Sequence, residues 1–221
     1  MESLFYLKTN FTEATREIFF DEFVKQFYDE IDGYCLGQLR NHSEYHIAEY
    51  GEMTLLNFFI NGIVRNDSIS RYNLLNEFGM DRVEGDKIGR ADLIIEDTVC
   101  LEQLYIEAKK EYSDAKTPEI WNHEETKSYY RSILDQANKY LEADIQDIKD
   151  ESKNKFFKIA LVFDSVRFTE NDVIGNWLAD ELLDNEFYAI KTYPSTIPNY
   201  SSIGLACYGI IEEYKNNLVP H

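Results

Sequence analysis

Two apolar segments of the sequence carry charged residues at positions that a strand would bury. The first, GRADLII, begins at Gly89 and contains Asp92, and the second, LYIEAKK, begins at Leu104 and contains Glu107 and Lys109. Charged side chains are seldom placed within apolar strands unless they are paired or have a chemical role. These three side chains are therefore the first candidates for a functional site.

The alternation of side chains along a strand predicts which of these charges meet. Glu107 and Lys109 lie on one face of the second segment, and if the two segments pair as a hairpin, Asp92 comes close to Glu107. Two neighbouring carboxylates repel each other unless a cation lies between them, and their hard oxygens select Mg²⁺, Mn²⁺ or Ca²⁺. Lys109 would then hold or help to deprotonate a water molecule, or neutralise charge developing on phosphorus.

The elements that must position these residues follow from hydrophobic periodicity and predict an α/β fold. The helix expected near 47–64 has an inward stripe formed by Leu56, Phe59 and Ile63, and Glu52 begins that stripe. The segment 72–78 fits either a strand or a turn. Alternating helices and strands in the second half favour a mixed β-sheet covered by helices. Expected helices lie at about 12–40, 47–64, 124–148 and 171–183, and expected strands at about 91–95, 104–109, 155–164, 187–193 and 205–211.

Fourteen residues separate Asp92 from Glu107, and one residue separates Glu107 from Lys109. This spacing of an aspartate, a glutamate and a lysine resembles the motif of the PD-(D/E)XK nuclease superfamily. The resemblance covers roughly residues 47–164. One position departs from the superfamily pattern, because Arg90 and Ala91 stand where a proline often precedes the first aspartate.

Three further positions are assigned only by this resemblance. An acid from the preceding helix often joins the site of such nucleases, and Glu52 matches it best, with Glu49 one turn earlier as the alternate. A Gln-x3-Tyr pair on the helix after the core strands is matched by Gln136 and Tyr140. Their i, i+4 spacing places these two side chains on one helix face.

The resemblance also implies a fold and a division of the chain. We expect a restriction-endonuclease-like mixed β-sheet flanked by helices, forming a single nuclease-like domain over residues 1–221. A helical N-terminal extension would occupy 1–45 and the catalytic core 46–165. A C-terminal helix and strands in 166–221 would complete the sheet.

The activity implied is metal-dependent hydrolysis of nucleic-acid phosphodiesters, with DNA favoured over RNA and an endonuclease as the expected type. Mg²⁺ or Mn²⁺ would be bound by Asp92, Glu107, Glu52 and the carbonyl of Ala108. Lys109 would position the attacking water, and Gln136 and Tyr140 would orient Lys109 or the phosphate. The residues expected to contact nucleic acid are Lys110, Lys127, Arg131 and Lys139.

Each of these residues also has a purely structural interpretation. Lys109 could begin a solvated loop, and Asp92 could form a surface ion pair with Arg90. Glu52 could stabilise the N-terminus of its own helix through the helix dipole. Gln136 and Tyr140 could be ordinary positions on a helix surface and at the edge of the core.

The net charge of −19 opposes the nuclease interpretation, because proteins that grip phosphates usually carry a basic surface. An acidic nuclease requires a locally basic cleft or a partner that holds the nucleic acid, so we expect a homodimer or a defence-type or repair-type complex. The rival interpretation is a catalytically silent module of the same fold, whose acidic surface binds a basic protein or mimics DNA.

Cysteine content and hydropathy indicate the compartment. The three cysteines are scattered, which is typical of reduced thiols in a cytosolic protein. The sequence shows neither a signal-peptide pattern nor an apolar run of the roughly 20 residues that cross a bilayer. We therefore expect a cytoplasmic protein with no membrane contact.

Overall fold

The computed structural model describes residues 4–13, 20–40, 50–66, 71–81, 88–114, 132, 155–171, 182, 184–195 and 198–214. Within these ranges the chain forms seven strands and two helices. In chain order these are β1 (Phe5–Asn10), α1 (Phe20–Arg40), α2 (Glu52–Asn66), β2 (Tyr72–Asp81), β3 (Ile88–Asp97), β4 (Glu102–Asp114), β5 (Lys155–Phe168), β6 (Glu186–Pro194) and β7 (Ser202–Glu213). The helices predicted at 124–148 and 171–183 fall almost entirely outside the described residues.

The seven strands form one mixed sheet in the order β1-β6-β7-β5-β4-β3-β2. β4 and β5 run parallel, and the other neighbouring pairs are antiparallel. Parallel neighbours need a long crossover connection, and residues 115–154 separate β4 from β5. The predicted α/β class with a mixed sheet is confirmed.

Both helices pack against the same face of the sheet. The apolar side chains of α1 and α2 recur every three or four residues, so each helix has one apolar face. Both apolar faces pack with strand residues in a single hydrophobic core. The stripe predicted for α2 is buried, since Leu56, Phe59 and Ile63 are each at most 1% exposed. The opposite face of the sheet is also buried, at residues that include Ala160, Val162, Val166, Phe168, Tyr188 and Ile190.

Close packing and one buried hydroxyl fix the helices on the sheet. A β-carbon added to Gly62 would lie 2.8 Å from the backbone carbon and oxygen of Gln26, so α1 and α2 approach closely at this point. The hydroxyl of Tyr28 donates to the carbonyl oxygens of Ala189 and Leu205, at 3.1 and 2.9 Å. Tyr28 thus fixes α1 to the sheet, and the close approach at Gly62 places α2 against α1. The position of α2 matters because this helix carries Glu52, one of the predicted site residues.

The helical N-terminal extension expected over residues 1–45 also contains a strand, besides the helix at Phe20–Arg40. Residues Phe5–Asn10 form β1, which pairs antiparallel with β6 at one edge of the sheet. The sequence FYLKTN does not alternate apolar and polar residues as a half-buried strand does, and none of the six residues is fully buried. Its partner lies some 180 residues away in sequence, and no local pattern records that pairing.

Two strand boundaries also differ from the predictions. The segment at 72–78, which fitted a strand or a turn, belongs to β2 and pairs with β3. β4 continues beyond Lys109 to Asp114, because its second half pairs with β5 along the whole parallel ladder. Lys109 is therefore within a strand and does not begin a solvated loop.

The helices in the part of the chain that the structure describes are all too short or too polar to cross a membrane.

Candidate functional site

The candidate site lies where β3 and β4 separate. Their antiparallel pairing runs from the hairpin to Leu93 opposite Ile106, and the next opposed pair in this register would be Asp92 and Glu107. At that point the Oδ2 atom of Asp92 accepts a hydrogen bond of 2.8 Å from the backbone N–H of Ala108. An aspartate side chain thus satisfies a β4 donor as the backbone ladder ends.

Glu52 joins the site from the helix side. It is the first residue of α2, where an acid is favoured by the helix dipole, and the backbone N–H of Lys110 donates to its carboxylate. The N–H groups of Ala108 and Lys110 point to the same edge of β4, because they are two residues apart on a strand. Asp92 and Glu52 therefore occupy neighbouring positions along one edge of β4. Stabilisation of the α2 N-terminus by Glu52 is compatible with a role of Glu52 in the site.

The ammonium group of Lys109 lies between the acids. Its Nζ atom donates to the carbonyl oxygen of Ala108 at 2.6 Å and to Oε1 of Glu107 at 3.2 Å. It also lies 3.9 Å from Oδ2 of Asp92 and 3.9 Å from Oε1 of Glu52. One cation is thus within ion-pair distance of three carboxylates contributed by β3, β4 and α2.

Glu107 is the most buried of the three acids. Its side chain is 6% exposed, and its Oε2 atom has no hydrogen-bond partner in the described part of the chain. Burial and the nearby charge of Asp92 raise the pKa of Glu107 to about 7, although Lys109 opposes the shift. A buried carboxylate oxygen without a partner costs free energy, so this atom is available to a cation.

The other charges of the site respond to the same surroundings. Burial raises the pKa of Glu52, and the charge of Asp92 adds to this, while Lys109 works against it. Burial lowers the pKa of Lys109, but Glu107, Asp92 and Glu52 more than reverse the effect, so the net shift is upward. The ammonium is thus held firmly in its charged form.

The residues fit a hard divalent cation by charge and by donor type. Three carboxylates and one ammonium leave a formal charge of −2, and all the candidate ligand atoms are oxygens. The carboxylates are spread around the ammonium, since Asp92, Glu107 and Glu52 do not form a group with ligand atoms all within 4.8 Å of one another. Binding of a metal ion here would therefore require the carboxylate oxygens to come closer together.

A tighter group of potential ligands, which the sequence did not suggest, lies at the β3–β4 turn. Asp97, Cys100 and Glu102 are the described residues whose ligand atoms all come within 4.8 Å. Here Arg71 already supplies the cation, because its guanidinium donates to Asp97 and contacts the Cys100 sulfur. Oδ1 of Asp97 also accepts the N–H groups of Val99 and Cys100. We interpret this group as a turn stabilised by an ion pair.

The other predicted site residues lie either on the opposite face of β4 or outside the described residues. The side-chain nitrogen of Lys110 donates to Oγ of Ser165, and side-chain alternation places Lys110 on the face of β4 opposite Lys109. Its predicted contact with nucleic acid stays a prediction. Gln136, Tyr140, Lys127, Arg131, Lys139 and the alternate acid Glu49 lie outside the described residues.

Comparisons with known proteins supply no relative for this geometry. No family model matches the chain, and neither a curated protein nor a solved structure matches it. The resemblance to the PD-(D/E)XK superfamily therefore rests on the residues and elements described above.

Proposed function

We propose that this protein is a metal-dependent nuclease that hydrolyses phosphodiester bonds of nucleic acid, with DNA favoured over RNA. The observation that carries the proposal is the meeting of three acids and a lysine at one point. Asp92, Glu107 and Glu52 come from three different elements, and each lies within 3.9 Å of Lys109. Charged groups are costly in an otherwise apolar part of a sheet, and clusters of acids with shifted pKa values are typical of functional sites.

The carboxylates and the Ala108 carbonyl are the groups that would hold Mg²⁺ or Mn²⁺. When bound, such an ion polarises a phosphate oxygen and lowers the pKa of water in its coordination shell. The Ala108 N–H bonds to Asp92 and the Lys110 N–H to Glu52, so the backbone of β4 helps to orient two of the three acids. The burial of Glu107 keeps its negative charge poorly solvated and increases its attraction to a cation.

Lys109 is the residue proposed to act on the phosphate. A charged ammonium adjacent to the carboxylates can donate a hydrogen bond to a phosphate oxygen and stabilise charge that develops there. It can also hold a water molecule in line with the phosphorus atom. The side chain is 29% exposed, so part of it is accessible to solvent although its Cα atom lies within β4. Gln136 and Tyr140 keep their proposed roles in orienting Lys109 or the phosphate.

The acidity of the chain shapes the proposal further. With a net charge of −19, the chain as a whole repels nucleic acid. We therefore propose that a second copy of this chain or a partner protein in a defence-type or repair-type complex helps to hold the substrate.

The test is nuclease activity on mixed DNA and RNA substrates with Mg²⁺ or Mn²⁺, in the wild type, Asp92→Asn and Lys109→Met. Matched controls are Asp21→Asn and Lys25→Met, because these residues form an exposed Asp–Lys ion pair of 3.1 Å on α1. We expect each site variant to lose activity at least about a hundredfold and the controls to keep it. Equal cleavage by all five proteins would assign the activity to a contaminant or to another site.

The alternative function is an interaction module that keeps the fold and has lost catalysis. The net charge of −19 favours it, because an acidic surface suits a basic protein partner or the imitation of DNA. The two functions differ in their response to metal. The nuclease should melt at a higher temperature with Mn²⁺, and Asp92→Asn should not, whereas the interaction module should ignore Mn²⁺ and copurify with a basic protein.

A further inference from the structure

The ammonium of Lys109 occupies the position that a metal ion would need. Its Nζ atom lies within 3.9 Å of an oxygen from every group proposed as a metal ligand, namely Asp92, Glu107, Glu52 and the Ala108 carbonyl. Nζ donates a 2.6 Å hydrogen bond to the Ala108 carbonyl oxygen, which is itself one of the proposed metal ligands. The nitrogen therefore lies among the proposed ligand oxygens.

An independent observation indicates that the ammonium alone does not complete this cluster. Oε2 of Glu107 is buried and lacks a hydrogen-bond partner in the described part of the chain, although Oε1 of the same carboxylate bonds to Lys109. A single positive charge thus leaves one buried anionic oxygen unsatisfied. A divalent ion carries the additional charge and the coordination number to satisfy it.

The ammonium and a divalent cation cannot share this position. Two positive charges a few ångströms apart repel strongly in a partly buried site, and the oxygens that surround Nζ would be required as ligands. Lys109 has a long flexible side chain that is already 29% exposed, so it can swing toward solvent without disturbing β4.

We propose that Lys109 is an internal counter-ion that holds the three acids together without metal and is displaced when a divalent cation binds. The inference rests on the proposed function, because it concerns the same site. The exchange couples the two events: metal binding moves the ammonium out of the carboxylates and toward the position where a substrate phosphate would lie. The protein therefore binds metal more weakly than its carboxylates would alone, and Lys109 becomes available for chemistry only when metal is present.

The decisive experiment is calorimetric titration with Mn²⁺ alone, without nucleic acid, at pH 8. It compares the wild type, Lys109→Met and the control Lys25→Met, which removes an exposed lysine from α1. Lys109→Met should bind Mn²⁺ about tenfold more tightly or better, since coupling between two binding events typically corresponds to about 5–150-fold, and the control should match the wild type. Equal or weaker binding by Lys109→Met would overturn the exchange and leave the metal site standing. Failure of every protein to bind Mn²⁺ would overturn the proposed function and the exchange with it.

A second measurement uses the wild-type protein and does not depend on the variant folding. Lysine acylation followed by peptide mass spectrometry is run with and without Ca²⁺, with Lys25 as the internal reference. Acylation of Lys109 should rise several-fold when Ca²⁺ binds, because the displaced amine is exposed. An unchanged rate at Ca²⁺ concentrations that saturate the site would show that Lys109 stays among the acids, and the proposal would be wrong.

Discussion

The substitution Glu107→Gln gives the most quantitative test of the charge cluster. Without metal, Glu107 is a buried acid with a pKa of about 7 against an ordinary value of 4.5. The folded protein therefore holds a proton on this group between pH 4.5 and 7 that the unfolded chain has released. The stability supplied by the protonated form is fully present below pH 4.5 and is lost as the pH rises through 7.

The size of the effect follows from the shift. Each pKa unit corresponds to about 1.36 kcal/mol, so this group lowers the free energy of unfolding by up to about 3 kcal/mol between pH 4.5 and 8. Glutamine has nearly the same shape and does not titrate, so Glu107→Gln should escape the loss. We expect the stability of Glu107→Gln relative to the wild type to increase by about 1–3 kcal/mol between pH 5 and pH 8.

The assay is urea unfolding of both proteins at pH 5 and at pH 8, with a chelator present to remove divalent ions. Glu22→Gln is the matched control, because Glu22 is an exposed acid in the first turn of α1. Groups outside the cluster titrate alike in the wild type and the variant, so the difference between the two proteins reports Glu107 and the charges coupled to it. A relative stability that stays constant or falls with pH would show that Glu107 is not the strained carboxylate described above.

Three further predictions concern the scaffold. Gly62→Ala should destabilise the protein by about 1–3 kcal/mol in urea unfolding, because its β-carbon would meet the Gln26 backbone at 2.8 Å. The matched control is Gly33→Ala on α1, whose β-carbon would have nothing within 4 Å, so this substitution should be neutral or stabilise the protein by up to about 1 kcal/mol. If both substitutions destabilised the protein equally, the close approach of the helices at Gly62 would be contradicted. Asp97→Ala should cost about 2 kcal/mol near pH 7, because it removes the carboxylate that accepts hydrogen bonds from Arg71 and from two turn amides. Burial alone would raise the pKa of Asp97, but Arg71 and the turn amides lower it below the ordinary 3.8. This advantage of the wild type should therefore be fully present above pH 3.8 and shrink as Asp97 is protonated at lower pH; an advantage that does not shrink on acidification would refute the ion-pair origin.

The core of the candidate site could be predicted because its information is local. Alternation along LYIEAKK places Glu107 and Lys109 on one face, and a short hairpin aligns Asp92 with Glu107 in the register of the strands. The stripe that begins at Glu52 is likewise a periodicity of a single helix, and burial of its apolar members turns Glu52 toward the sheet.

Contacts between distant segments could not be predicted in the same way. The pairing of β1 with β6 and the extension of β4 along β5 depend on residues brought together only by the complete sheet. The bond from the Lys110 N–H to Glu52 depends on where α2 docks, and that depends on the close approach at Gly62. The position of the Lys109 ammonium among the acids also follows from the three-dimensional arrangement and is not encoded in the spacing of the residues.

Binding of a divalent ion by these acids can be observed in a crystal structure of the protein soaked in Mn²⁺, with the ion located by its anomalous scattering. We expect a peak about 2.0–2.6 Å from carboxylate oxygens of Asp92 and Glu107, with the Lys109 ammonium moved out from between them. A peak at the turn formed by Asp97, Cys100 and Glu102 with none at Asp92, or a Lys109 ammonium still seated among the acids at saturating Mn²⁺, would contradict this expectation.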